Sequence, residues 1–466
     1  MRVERDFLGE RELPDSAYYG IHSLRASENF PISGERISEE FIIAFAQVKL
    51  AAAITNRELG YLSGEIAEHI IFACNEIISG KYHEQIIVDP YQGGAGTSTN
   101  MNFNEVIANI ALEKAGKKKG EYEYINPLRH INMHQSTNDV YPTALKIAIL
   151  KLLKKLEVEI AELQQAFQEK EFEFKDIVKL GRTELQDAVP MTLGMEFGAF
   201  AEAISRDRWR IFKSRERIKT VNLGGTAIGT GIGAGRDYIL KVTENLRRIT
   251  GLNLARAENL IDATQNLDSY VEVFGMLKSY ASNLLKISND LRLLSSGPHG
   301  GIGEIILPPV QSGSSIMPTK VNPVIPEAVG QIAIKIMADE NIITTVASSG
   351  NLELNQFYPL LAHTFITSLK LLLNATIILR DRCIKDIKAN QEKCNSNLSK
   401  SKTIATILVP ILGYQTVEKI IKESEEKDLP IEEILKKYLS DSEIKELLNP
   451  KRMYKLGYTK DEVKRD

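Results

Sequence analysis

The sequence predicts a mainly α-helical protein built around a central bundle of long helices. Three observations predict it. Long stretches of helical periodicity fill the middle of the chain, glycine clusters fall between those stretches, and no internal repeat or low-complexity tract interrupts them. A chain of 466 residues is also long enough to bury more than one hydrophobic core.

The clearest stretch follows Pro142, after which there is no Gly or Pro until Gly181. Leu145, Ile149, Leu152, Leu156, Ile160, Leu163 and Phe167 recur at steps of mostly four and three, while Lys and Glu fill the other faces. That pattern is one apolar stripe on an α-helix, which over this stretch runs about 50 Å. A second long helix is predicted over residues 194–219 and a third over Ala257 to Ser296, where the single Gly275 is tolerable. Two more are predicted over 326–349 and 353–388. Stripes this long need partners, so a helical bundle within a homo-oligomer is expected. The alternative, a monomeric solenoid, lacks the repeat period it would need.

Before Pro142 the helices are shorter, with a small hairpin near the N-terminus. After about Asn390 they are short again, separated by Gly413, Pro430 and Pro450. The chain is thus expected to divide into an N-terminal, mostly helical domain (1–137), a central long-helix domain (138–392) and a small C-terminal helical domain (393–466).

Composition narrows the function classes. Hydrophobic residues make up 43% and charged residues 26%, which is ordinary for a globular protein. A net charge of -3 and a pI near 6.3 leave no basic footprint for nucleic acid, so any anion site must be local. Cys74, Cys383 and Cys394 form no CxxC pair and read as reduced thiols rather than a disulfide framework or a zinc site. The start, MRVERDFLGERELP, lacks the apolar run of a signal peptide. Nowhere do about eighteen apolar residues run without a charge, so no membrane span is expected and the cytoplasm is the default compartment.

Four polar stretches, three of them bearing glycine, interrupt the helical pattern: GGAGTSTNMNFNE (93–105), NMHQSTNDVYPTA (132–144), GRTELQDAVPMTLG (181–194) and GSSIMPTKVNPVIPE (313–327). Ser, Thr and Asn cap helices well, and capping would explain one such residue in each stretch. It does not explain Thr97, Ser98, Thr99 and Asn100 in a row, or Ser136, Thr137 and Asn138. A dense set of neutral donors beside helix N-termini suits a carboxylate, which the free N–H groups and the helix dipole also favour. Lys320, the single lysine of the last stretch, would supply the formal positive charge, with Ser314, Ser315 and Asn322 beside it. Other constellations are absent: there is no GxxxxGK[ST], HExxH or GxSxG. GTGIGAG (229–235) lacks the strand and helix of a dinucleotide site. His130 and His134 lie four apart without a further ligand, so neither a metal nor a cofactor is expected.

GSSIMPTKVNP (313–323) closely resembles the signature GSSxMPxKxN of the aspartase/fumarase superfamily. The other three stretches match that family's conserved regions in order and spacing, so the resemblance covers nearly the whole chain. Within the family the wording is similar to the aspartase branch. The N-terminus RVERDFLGERELPDSAYYGIHSLRASENF (2–30) has Tyr19 where fumarases usually have Trp, and QGGAGTSTN and QSTND stand where class II fumarases usually read SGTQTN and QSSND. One departure is Glu184, directly after GRT, where many relatives have His and some aspartases Gln.

The resemblance implies a three-domain, mainly α fold whose long helices form the core of a homotetramer, with each active site shared between three subunits. It implies removal of ammonia from L-aspartate to leave fumarate, without a cofactor; the runner-up is the class II fumarase reaction, in which water is the leaving group. It implies Ser314 as general base, and Thr97, Ser136, Thr137, Asn138, Thr183, Ser315, Lys320 and Asn322 as the residues that hold the substrate. Glu184 has no role assigned: in the family this position helps hold a carboxylate, which an ionised Glu would repel. A catalytically inactive, crystallin-like member of the family is a further alternative, against which the retention of Ser314, Lys320 and Asn322 speaks.

Overall fold

The computed structural model describes residues 1–447 together with 449, 452 and 457–459; Pro450 and the end of the predicted C-terminal segment lie outside the described residues. The chain opens with the antiparallel hairpin β1 (Arg2–Asp6) and β2 (Gly9–Leu13). Then come α1 (Ile21–Asn29), α2 (Glu39–Glu58), α3 (Gly64–Ile78) and α4 (Thr97–Lys114). The 37-residue α5 (Thr137–Glu173) leads to a second hairpin, β3 (Val178–Thr183) and β4 (Gln186–Thr192). Next are α6 (Leu193–Ile218), β5 (Thr220–Val221), α7 (Arg236–Thr250), β6 (Ala255–Arg256), α8 (Asp262–Gln265) and α9 (Asp268–Leu294), with β5 and β6 paired in parallel. After β7 (Ile305–Ile306) the chain forms α10 (Val324–Ser348) and α11 (Tyr358–Arg382). β8 (Lys388–Ala389) pairs with β7, and the short helices α12 (Gln391–Lys400), α13 (Val409–Leu412), α14 (Tyr414–Glu426), α15 (Ile431–Leu435) and α16 (Asp441–Leu447) follow. The fold is mainly helical, as predicted, and each sheet among the described residues has two strands.

The stripe from Leu145 to Phe167 is buried throughout on α5. Pro142 lies inside this helix rather than before it. Its missing N–H would leave the Asn138 carbonyl unpaired, and Asn222 Nδ2 donates to that oxygen instead at 2.9 Å. The third long helix starts at Asp268, eleven residues later than predicted. Asn259 Oδ1 accepts from the Ile261 and Asp262 N–H groups and starts the separate single turn of α8, and Asn266 is then extended. The fifth starts at Tyr358 because Asn355 folds back first, accepting from the Phe357 N–H at 2.9 Å and donating to the Val346 carbonyl at 2.7 Å. The stretch 181–194, expected as a polar interruption between helices, falls largely in an antiparallel hairpin over residues 178–192, which also takes up the end of the stretch expected to be helical.

The chain folds into two compact units, each assembled from three separate segments: residues 1–157, 209–279 and 335–373 in one, and 158–208, 280–334 and 374–466 in the other. In the first unit, α4 is buried on every side from Thr99 to Leu112, so it carries no polar face. Phe103 of α4 stacks on Phe45 at 4.4 Å between ring centres, and Phe41 meets Tyr141 edge-on at 4.9 Å. In the second unit, Leu398, Ile404, Leu408, Ile420 and Ile434 form a separate core with Leu180 of β3. The segment Tyr358–Asp386 is long and apolar enough to cross a membrane by length and composition, yet 56% of its most apolar window is buried within the protein, as in a core helix. Cys74, Cys383 and Cys394 are buried free thiols, and burial pushes each up to about 12.

Candidate active site

Two helix N-termini carry the first set of predicted residues, all in the first unit. Thr97 is the first residue of α4 and is exposed. Before it, Gly94, Ala95 and Gly96 all take left-handed backbone angles. At Gly96 only glycine fits, because a Cβ would lie 2.3 Å from the Tyr141 ring. Gln92 caps the helix from outside, its Oε1 accepting from the Thr99 N–H and hydroxyl, each at 3.0 Å.

Ser136, Thr137 and Asn138 form the start of α5. Asp139, one residue on, is the local anchor: Oδ1 accepts from the Ser136 N–H at 2.9 Å, and Oδ2 from the Gly224 and Thr226 N–H groups at 3.0 and 3.1 Å. Burial raises this carboxyl to about 7 although those three donors and Lys49 favour its ionised form. Asn138 Nδ2 donates to the Ala227 carbonyl at 2.7 Å, which ties the turn to the same glycine-rich loop. The two hydroxyls are set as donors. Ser136 Oγ accepts from the Asn138 N–H at 3.2 Å, and Thr137 Oγ1 accepts from Asn100 Nδ2 at 3.1 Å. Each hydroxyl proton is therefore free to point elsewhere, which is what binding an anion requires.

The second unit holds the rest. Thr183 ends β3, and Glu184 and Leu185 make the two-residue turn of the hairpin at φ 53° and 65°. Both angles being positive, this is the turn type that favours Asn-Gly, so Glu184 carries backbone strain. Its side chain is exposed and lines a groove of about 300 Å³ with Arg182, Met191, Lys286 and Asp290. Glu184→Asn is expected to stabilise the protein by about 0.5–1 kcal/mol by easing that strain. A thermal denaturation midpoint at or below the wild-type value would contradict it.

Ser314, Ser315, Lys320 and Asn322 share one loop before α10. The Gly313 N–H donates to the Lys320 carbonyl, and Asn322 Nδ2 donates to the Gly313 carbonyl, both at 2.8 Å, so the loop closes on itself. Gly313 has to be glycine, since a Cβ would lie 2.8 Å from the Asn322 nitrogen. Within the loop, Ser314 Oγ accepts from the Ile316 N–H at 3.2 Å and the Met317 N–H at 2.9 Å. Two donors aimed at one oxygen favour its anionic form. Ser315 and Lys320 are exposed.

Buried charge anchors the hairpin and the loop's leading strand. Glu304, with a side chain 0% exposed, accepts from Arg182 at 2.8 and 3.1 Å and from Asn397 at 3.1 Å, and lies 3.1 Å from the Lys179 ammonium. Burial alone would raise this carboxyl, but Arg182, Lys179 and Asn397 outweigh it and hold it below its ordinary value. Glu304 directly precedes β7, which leads toward Ser314, and Arg182 directly precedes Thr183.

Four further polar residues stand behind the first set: Asn104, Asn132 and Gln135, which lie in the quoted polar stretches but were given no role there, and Lys49, which lies outside them. Lys49 Nζ donates to Asn132 Oδ1 and to Gln135 Oε1, both at 3.0 Å. Burial pulls this ammonium down to about 7, against the pull of Asp139 and Cys74. The available signal for Lys49 was a lone charge in the largely apolar run FIIAFAQVKLAAAIT. Among the described residues no group of three His, Cys, Asp or Glu side chains is arranged to hold a metal ion.

A sequence profile described as "Lyase" matches residues 9–338, and a second, "Fumarase C C-terminus", matches residues 404–455. The chain belongs to the aspartase/fumarase lyase family. Aspartate ammonia-lyases of a Bacillus species and of Pseudomonas aeruginosa are 47% and 48% identical to it, each alignment covering 97% of this chain and 97% or 96% of the relative. The Escherichia coli K12 aspartate ammonia-lyase is 44% identical over 98% of this chain and 97% of its own. Among solved structures, a Brucella melitensis protein described as fumarate lyase:delta crystallin superposes with a TM-score of 0.94 at 44% identity, covering 98% of this chain and 100% of that one. A class II fumarase from Schistosoma mansoni gives a TM-score of 0.90 at 30% identity, over 97% of this chain and 98% of that one. The protein is accordingly a lyase.

Proposed function

We propose that the protein is an aspartate ammonia-lyase, interconverting L-aspartate with fumarate and ammonia, and that Ser314 is its base. The observation that carries the chemical reading is the pair of backbone N–H groups aimed at Ser314 Oγ. The names of full-length relatives at 44–48% identity support aspartate over malate as the substrate.

The proton beside the β-carboxylate of aspartate is very weakly acidic. Its removal becomes feasible if the electron pair left on Cβ moves into the carboxylate, giving a dianionic aci-carboxylate held by preorganised donors. In this reading Ser314, as alkoxide, takes the Cβ proton. Thr97, Ser136, Thr137 and Ser315 donate to the β-carboxylate as its charge rises. Lys320 and Asn322 hold the α-carboxylate, and Asn138 and Thr183 complete the polar groups around the substrate. The electron pair then returns to form the Cα–Cβ double bond, and ammonia leaves Cα. The glycine-flanked segment around Ser314 acts as a lid over the bound substrate.

The same reading makes the protein a cytoplasmic homotetramer with domains 1–137, 138–392 and 393–466, in which residues from three subunits complete each site. Exposed apolar side chains such as Trp209, Ile232 and Ile334 are in keeping with further burial on assembly.

Lys320→Ala is expected to raise KM for aspartate about tenfold or more, since a paired carboxylate loses its only formal cation in that loop. An unchanged KM would remove this contact. The reaction itself is tested in reverse, by following the absorbance of fumarate. Consumption that depends on added ammonium supports the ammonia-lyase; consumption without ammonium, yielding L-malate, would make the protein a fumarase.

A further inference from the structure

Lys49 is 1% exposed, yet its ammonium is bonded to two side-chain amides rather than to a carboxylate. One of them, Asn132 Oδ1, also accepts from Asn100 Nδ2 at 3.1 Å and from Asn104 Nδ2 at 3.2 Å. Asn100 Nδ2 donates in addition to Thr137 Oγ1 at 3.1 Å. An amide has nearly the same shape with its oxygen and nitrogen exchanged, so something must fix which way each one faces. Asn100 and Asn104 both turn their NH₂ toward Asn132, although this leaves the Oδ1 of each buried without a partner among the described residues. Leaving buried acceptors unpaired is unfavourable, so the choice has to be imposed by a stronger group. Of the donors that meet at Asn132 Oδ1, only Lys49 carries a formal charge, and an ammonium has no acceptor face to offer.

We infer that Lys49 is a positioning residue that sets the donor sense of the Thr137 hydroxyl. Its ammonium, together with the Gln135 carbonyl that accepts from Asn132 Nδ2 at 3.2 Å, fixes Asn132 Oδ1 as an acceptor; Asn132 fixes the Asn100 amide as a donor, and Asn100 occupies the acceptor face of Thr137. The Thr137 proton is thereby left for a carboxylate. Without the ammonium, Asn132 Oδ1 keeps only neutral amide donors, and Asn100 turns over to satisfy its own oxygen by taking the Thr137 proton. The hydroxyl then presents lone pairs to an anion. This inference rests on the dicarboxylate reading of the site.

Its test is binding of succinate, an unreactive dicarboxylate, to the full assembled protein. Lys49→Met is expected to weaken succinate binding at least tenfold, and Thr137→Val to weaken it comparably. The double variant should bind no more weakly than Thr137→Val alone, because both changes act on one hydroxyl. Wild-type affinity in Lys49→Met would overturn the inference, and so would losses that multiply in the double variant. Should Lys49→Met fail to fold, Asn100→Leu cuts the same chain. It should give the same loss and the same lack of additivity with Thr137→Val, and wild-type succinate affinity in it would overturn the inference equally. Failure of the underlying reading looks different: the wild-type protein would itself bind no succinate.

Discussion

Ser314→Ala is expected to lower kcat for aspartate deamination by about 10³–10⁴-fold, the scale of losing a positioned general base, with little change in stability. The two halves of that expectation come from the same geometry. Ser314 Oγ accepts from the N–H groups of Ile316 and Met317, two and three residues along its own loop. Removing it deletes no buried contact, and the loop's closure through Gly313, Lys320 and Asn322 does not depend on it. The catalytic loss is large because no neighbouring group in the loop can replace an alkoxide: Ser315 is exposed, and the Ile316 and Met317 N–H groups turn toward Ser314 instead. Succinate affinity should be retained within a few fold, which separates loss of the base from collapse of the site. A variant that keeps more than a tenth of wild-type kcat would remove Ser314 from this role.

Glu304→Leu is expected to destabilise the protein by about 3–5 kcal/mol, the range for stripping one partner from a buried ionic cluster. Arg182, with a side chain 16% exposed, would lose its bidentate carboxylate, and Lys179, at 3%, would fall back on Glu196. The urea midpoint should fall accordingly, and kcat/KM with it, because Arg182 precedes Thr183 and Glu304 precedes the strand that leads to the signature loop. The carboxyl is held below its ordinary value, so the stability it adds is present at neutral pH and lost as pH falls through its folded pKa. The variant should therefore lose less stability on acidification than the wild type does. A urea midpoint unchanged from the wild type would contradict this account of the cluster.

What the sequence revealed and what it hid follow one physical division. The α5 stripe was legible because a half-buried helix repeats its burial every few residues. The signature loop was legible because its hydrogen bonds are local, spanning two to nine residues. The start of α9 was misplaced because Asn259 and Asn266 redirect the chain through their own side chains, in a stretch whose apolar pattern continues without a break. The β3–β4 hairpin was hidden for two reasons. Its turn is Glu184-Leu185 rather than Asn-Gly, and β4 is exposed or half-buried along most of its length, so alternation gives little signal. The supporting network was the hardest to read. Lys49 meets Gln135 across 86 residues, and Arg182 meets Glu304 across 122, and no local pattern marks pairs so far apart. Sequence thus yields the groups proposed to touch substrate, while the groups that orient them emerge only from the fold.

The central claim is tested most directly by giving the purified, assembled protein L-aspartate alone and measuring fumarate and ammonia together. The account predicts that both appear in equal amounts, and that the Ser314→Ala protein releases neither at a comparable rate. A wild-type protein that leaves L-aspartate untouched while converting L-malate to fumarate would contradict it.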